Sequence, residues 1–416
     1  MNIRKLILLV FTVCMAAFCY GGDTISYNIK DLIPIARDRQ TTDILVPYRL
    51  DGKWGFVNQR LEKITDAVYD NILVVSKYCA YVKKDDNRII VSADGAEKIS
   101  VAGYPAVDCA LLGDDCFAVP ELIPGRDRER LKTTIFSVFD GEIAVIYDWK
   151  LDDGKYLEHI LAAKFPLNGP GKNYINICGQ PVFPQEVAEG KHWIRMYAYD
   201  PETKRSIVIN REGRETIIDE KGNTVKVFWQ TDSVFSDGLI AGITETERKL
   251  NNANAYSYTI PGGYYDRNGV KQIPVIFQCG QSPGREGGVD LFVMTAFNSG
   301  VLPCRIIDGE IHVMELYFSS YGKDWGIIDT DGNIIASHIT ANRITEFSEG
   351  VANIITENNE GKEEVRLINT KGEIITKEAF DTIEECVNGY CVAQKDGEDY
   401  LISAKDGKSY RCRDFR

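Results

Sequence analysis

A short unit of strand, turn and strand recurs along this 416-residue chain, and that repetition limits the fold more than any other feature. Each copy is an apolar run, then Asp, Asn or Ser, two or three polar residues with a glycine, and a second run opening with apolar residues. The clearest copies are Trp325-Gly326-Ile327-Ile328-Asp329-Thr330-Asp331-Gly332-Asn333-Ile334-Ile335 and Arg366-Leu367-Ile368-Asn369-Thr370-Lys371-Gly372-Glu373-Ile374-Ile375. Others run from Ile89 to Ile99, Ile207 to Ile217, Tyr264 to Ile273 and Tyr400 to Tyr410, with weaker ones near Phe136 and Ile175. The copy from Trp54 to Ile64 carries Leu61 where the others place glycine.

Each copy reads as a β-hairpin, because a tight turn with positive φ needs Gly or Asn and the flanks alternate apolar with polar. Asp-Gly recurs at 51, 94, 140, 153, 237, 308, 331, 396 and 406, and Asn-Gly at 268 and 388, spacings that leave no room for long helices. A second element separates the hairpins: Phe235-Ser236-Asp237-Gly238-Leu239, Phe297-Asn298-Ser299-Gly300-Val301 and Phe347-Ser348-Glu349-Gly350-Val351. Each precedes another apolar strand, so a full unit holds three or four strands over roughly 35 to 60 residues, the range of propellers and solenoids. The expectation is an all-β chain of about nine hairpin copies forming one repeat domain over residues 22–416, folded as a β-propeller of seven or eight blades. In such a ring the segment from Ile25 to Leu50 would supply a strand to the last blade. An open β-hairpin solenoid with polar end caps is the alternative. Phe165 to Tyr174, Thr246 to Gly263 and Cys279 to Val289 are rich in Gly, Pro, Asn and Ser and read as inserted loops.

Gly52-Lys53-Trp54-Gly55-Phe56-Val57-Asn58, followed by Ala67-Val68-Tyr69-Asp70, resembles the start of a WG repeat, a bacterial module named for its Trp-Gly pair. Lys323-Asp324-Trp325-Gly326-Ile327-Ile328-Asp329, followed by Phe347-Ser348-Glu349-Gly350, is similar to a second copy. The resemblance covers residues 45–75 and 320–410 and thins between about 100 and 260, where no Trp-Gly pair stands. It implies a repeat scaffold, often in exported bacterial proteins, with no catalytic residues to carry over. Trp54, Gly55, Trp325, Gly326, Phe347 and Gly350 are its structural signature. The Trp-Gly pair also has a packing reading: the indole buries apolar area and the glycine admits a neighbouring backbone.

The first residues carry Arg4 and Lys5, an apolar run from Leu6 to Phe18 and the small pair Gly21-Gly22, the layout of a secretory signal peptide over residues 1–21. An outer-membrane lipoprotein acylated at Cys19 competes, but Phe18 stands where a small residue is usual, so a cleaved leader and a periplasmic or secreted chain are preferred. No later stretch is long and apolar enough to be a transmembrane helix. Nine cysteines follow the leader, an odd number that leaves at least one unpaired, or paired between molecules. Cys109 with Cys116 and Cys386 with Cys391 are disulfide candidates by proximity, while Cys79 and Cys391 also sit in apolar runs that suit a buried small hydrophobe.

A formal charge of -13 opposes binding to phosphate backbones, so nucleic acid is not an expected partner. The four histidines, His159, His192, His312 and His338, are scattered and none forms a metal-binding pair. No nucleophile elbow, phosphate loop or dinucleotide fingerprint appears, so neither catalytic residues nor a cofactor or metal site is assigned. Asp329-Thr330-Asp331-Gly332-Asn333 has the look of a calcium loop, but the same place in Asn369-Thr370-Lys371-Gly372 lacks the acids, which favours a turn. Tyr256, Tyr258, Tyr264 and Tyr265 around Pro261-Gly262-Gly263 could stack on a sugar or clasp a peptide, or fill the space under a long loop. The function expected is a non-catalytic scaffold binding a protein or glycan in the cell envelope or outside the cell. The alternative is a polysaccharide-active propeller hydrolase or lyase, needing two converging carboxylates.

Overall fold

The computed structural model describes residues 43–101 except 86, 110–111, 114–124, 130–152 except 140 and 148, 161–164, 174–175, 193–200, 203–248 except 233–234, 252–253, 257–280, 296–314 and 323–415. The leader, Cys19, Cys109, Tyr256, His159 and His192 lie outside them, and nothing is described of the Cys116 and Tyr258 side chains.

The chain is all-β and propeller-like. Antiparallel strands follow one another in units: 46–69, 71–101, 110–147, 149–175, 193–227, 230–280, 301–340, 343–376 and 382–411. The sixth and seventh units share one sheet, because Glu310–Met314 turns back from Val301–Ile307 and pairs in parallel with Lys271–Gly280. That makes nine units in eight sheets among the described residues. Three of them, between 110 and 227, fall in the stretch where the repeat pattern is thinnest.

Turns with an asparagine or aspartate anchor set the local geometry. Asn58, Asn210, Asp219, Asp266, Asp329, Asn358 and Asn369 each accept, through Oδ1, the N–H groups two and four residues on, at 2.8–3.0 Å. Such a side chain satisfies amides that the strands leave unpaired, so the Asp329 segment is a turn. The residue three places on has positive φ: Gly332 at 82°, Gly372 at 82°, and Leu61 at 64° where glycine is missing.

Cores form between units. Trp325 and Ile327 of the seventh pack with Ile344, Phe347 and Ile354 of the eighth. Leu367 of the eighth and Phe380, between the two units, pack with Ile402 of the ninth. The same arrangement joins the ends of the chain: Val46, Tyr48 and Val57 share a core with Val392, Leu401 and Cys412. Arg49 adds charge contacts across that junction, from Nε to Asp399 at 3.0 Å and from Nη1 to Glu384 at 2.6 Å. The Tyr48 and Phe415 rings meet edge to face at 5.4 Å. An open solenoid would hold its first and last units apart, so these contacts favour the closed ring.

Of the segment from Ile25 to Leu50, expected to supply a strand to the last blade, residues 25–42 lie outside the described residues. Val46–Leu50 pairs with Lys53–Val57 in its own sheet and meets the last unit through side chains. The Asp51-Gly52 turn accounts for this, since both its residues have positive φ and fold the strand straight back. The segment 246–263 is not one loop: Glu245–Arg248 is a helical turn, and Ser257–Asp266 is a strand paired with Lys271–Gly280. Among the described residues no helix is long and apolar enough to cross a membrane.

Candidate functional site

The signature residues build the scaffold. Opposite Trp54 and Phe56 stand Tyr69 and Thr65, so the outer strand bulges across from Gly55; Trp325 and Ile327 repeat this against Ile339 and Ala336. A Cβ on Gly55 would lie 2.8 Å from the Asp66 carbonyl oxygen, which is why the pair ends in glycine. Trp325 is 5% exposed and donates from Nε1 to the Ala341 carbonyl at 3.0 Å. Arg49 and Arg305 stack over Trp54 and Trp325 at 5.5 and 5.1 Å from the ring centroids. These indoles are spent on packing.

Two of the four tyrosines weighed as ligand contacts are buried. Tyr264 and Tyr265 are each 1% exposed on the strand Ser257–Asp266. Tyr264 packs edge to face with Phe297 at 4.8 Å and Tyr265 with Phe228 at 4.9 Å. The Tyr265 hydroxyl donates to Glu247, which also pairs with Lys271. Alternation on a strand, rather than a loop, sends both rings into cores on opposite faces. Cys386 and Cys391 form a disulfide with Cα atoms 4.1 Å apart, so Cys391 is not a free buried thiol. Cys79, Cys304 and Cys412 are free and buried, and burial pushes each thiol up to about 12, where it is inert. His312 is largely buried and His338 is exposed beside Asp324 at 3.2 Å.

The second recurring element forms a chain of contacts from turn to turn. Asp237-Gly238, Ser299-Gly300 and Glu349-Gly350 are two-residue turns with both φ positive, and Asn388-Gly389 is a fourth. The Gly300 N–H donates to Asp237 Oδ2 at 2.9 Å, and the Gly350 N–H to Ser299 Oγ at 3.1 Å. The Asn388 and Gly389 N–H groups donate to Glu349 at 2.8 and 2.6 Å. Asn388 Nδ2 completes the chain, donating to the carbonyls of Leu45 at 2.7 Å and Ser76 at 2.9 Å. The fourth turn escaped the sequence pattern because Cys386 stands where the others have phenylalanine; the Asn-Gly pair was the signal for it.

Beside Cys386 opens a cleft of about 310 Å3, walled by Asn298, Thr345, Glu346, Asn353, Glu384 and Glu385, with Phe347, Val351 and Leu367 in its lining. Asn353 donates from Nδ2 to the Ile383 carbonyl at 2.7 Å, tying the eighth unit to the ninth beneath it. Glu384 is held by Arg49. Glu346 is solvent-exposed as a residue, yet crowding around its carboxyl, and then the charge of Glu385, push that group above the usual carboxylate range. Such a lining suits a ligand that brings positive charge or hydrogen-bond donors on an apolar stem. Among the described residues no three metal-ligating side chains gather.

Sheets that follow one another in sequence, with the last packed on the first, define an all-β, propeller-like repeat protein. Residues 325–359 and 366–398 match the family described as WG containing repeat, so that stretch carries WG repeats. No curated protein sequence matches it. Among solved structures, the chain is similar to one titled "Crystal structure of the eukaryotic initiation factor", at 11% identity and a TM-score of 0.47, covering 89% of this chain and 96% of that one. It is also similar to the AfRom2 CNH domain, at 11% identity and 0.24, covering 78% and 93%. A third is an acylaminoacyl peptidase from Pyrococcus horikoshii, at 13% and 0.27, covering 73% and 51%.

Proposed function

We propose that this repeat protein is a non-catalytic binding scaffold, exported to the cell envelope or beyond, whose cleft at the eighth and ninth units takes a cationic segment of a partner protein. The acidic, part-apolar lining of that cleft carries the reading. Its carboxylates would pair with a lysine or arginine head while Phe347 and Leu367 cover the stem. Titration calorimetry of the chain against peptides with and without Lys and Arg, and against oligosaccharides, tests this. Saturable binding of cationic peptides, weakened tenfold or more in E346Q/E385Q and by added salt, is expected. Binding that ignores both changes would overturn it, and oligosaccharide binding lost in the same variant would move the reading to glycan.

The raised Glu346 carboxyl beside Glu385 favours a second reading, a polysaccharide hydrolase or lyase with Glu346 as general acid. Release of reducing ends from a polysaccharide panel, abolished in E346Q, would establish it. Export rests on Arg4, Lys5 and the run from Leu6 to Phe18. N-terminal sequencing of fractionated cells separates a chain starting near residue 22 from one acylated at Cys19, and the intact leader on a cytoplasmic chain would refute both.

A further inference from the structure

The hairpin turn at 388–389 joins the two ends of the ring, and it alone among the described turns of its kind stands on a covalent bond. One residue further from the turn on each side, the sixth, seventh and eighth units place Phe235 and Ile240, Phe297 and Leu302, and Phe347 and Ala352. The second unit places Val75 opposite Ala80. In the last unit the same pair is Cys386 opposite Cys391, next to Val387 opposite Tyr390. Asn388, held in this turn, bonds to both Leu45 and Ser76, so its position sets the junction between the last unit and the first two.

We infer that the Cys386–Cys391 disulfide is a redox-set lock on ring closure. Both cysteines are buried, but Cys386, 6% exposed, lines the cleft, whereas Cys391 is fully buried and does not. A dithiol reductant entering there attacks Cys386 as thiolate; the Cys391 sulfur leaves and takes a proton. The second thiol of the reductant then displaces Cys386, which is also protonated. The chain gains two electrons and two protons, and the dithiol is oxidised to its own disulfide. Reduced, the hairpin keeps its ladder but loses the crosslink under Asn388, and the junction opens more often. The inference does not depend on the cleft binding a partner.

Hydrogen exchange read by mass spectrometry on the full chain, oxidised and after dithiothreitol, tests it. Once a mass gain of two hydrogens confirms reduction, exchange over 44–50, 74–79 and 384–393 is expected to rise tenfold or more while 323–340 stays unchanged. C386V/C391A, which copies the Val75 and Ala80 pair, is expected to behave like the reduced chain and to ignore dithiothreitol. Unchanged exchange over 44–50 in the reduced wild-type chain overturns the inference, whether or not the variant folds. So does a dithiothreitol response that persists in C386V/C391A.

Discussion

Five junctions between successive units and the junction that closes the ring are built alike except at one turn position. In the ordinary junctions a turn glycine presses on the preceding unit. A Cβ on Gly95 would meet the Ile64 carbonyl at 2.8 Å, on Gly269 the Lys226 Cβ at 2.7 Å, and on Gly332 Ile273 at 3.3 Å. For Gly372 it would meet the Ala336 Cβ at 2.6 Å, and for Gly407 the Ile375 carbonyl at 2.1 Å. At the closing junction the equivalent residue is Leu61, which adopts φ 64° and packs into the core shared by the first and last units. The Tyr390 hydroxyl donates to the Gln59 carbonyl in that same turn, at 3.1 Å. A leucine therefore tolerates the backbone conformation, and at these five junctions glycine is demanded chiefly by the approach of the neighbouring unit.

The sharpest way to break this contrast is G407A, which adds a methyl against backbone at positive φ. A loss of about 3 kcal/mol or more in denaturant unfolding is expected, and a loss below about 1 kcal/mol would show that clearance is not the constraint. L61A should cost about 1–2 kcal/mol, since it empties part of the closing core even though alanine suits the turn no worse. G213A sharpens the comparison from the other side. Gly213 has φ 76° with nothing within 4 Å, so only the conformational cost of about 1 kcal/mol should appear.

Acid should act alike on two of the ordinary junctions, the first with the second unit and the eighth with the ninth. Asp70 accepts from Lys53 of the first unit and from the Asp85 N–H, and Asp381 accepts from Lys362 and the Asp396 N–H. The lysine in each case, and then the backbone amide, holds the carboxyl below its ordinary range, and Lys408 holds Asp406 at about 2. A depressed folded value means the stabilisation is complete above the unfolded value of 3.8 and disappears as pH falls through the folded one. Unfolding midpoints compared at pH 5, 3 and 2 should fall in that order, and a flat profile would deny these pairs any role. Glu346, raised, has the opposite sign: its contribution weakens as pH rises above its unfolded value, so E346Q should be slightly stabilising near neutrality.

The anchored turns, the all-β class and the Trp-Gly units were legible because each is written in a few adjacent residues: an Asn or Asp, a glycine three places on, apolar flanks. Leu61 stood out in the sequence as a missing glycine, but its cause lies in Tyr390 and Val392, more than 300 positions away. Long-range packing leaves no local mark. Tyr264 and Tyr265 misled for a different reason. Pro261-Gly262-Gly263 reads as a loop, yet both glycines lie in a strand, where a Cβ on Gly262 would meet the Phe277 ring at 2.4 Å. The cleft was invisible because Asn298, Glu346 and Glu385 come from three units and no spacing relates them.

Ring closure is tested most directly by a double-mutant cycle on Arg49 and Asp399, residues that only a closed ring brings to 3.0 Å. With both side chains largely shielded, R49M, D399N and the double variant should give a coupling of about 1–2 kcal/mol. Losses that add to within about 0.3 kcal/mol would mean that the first and last units do not meet.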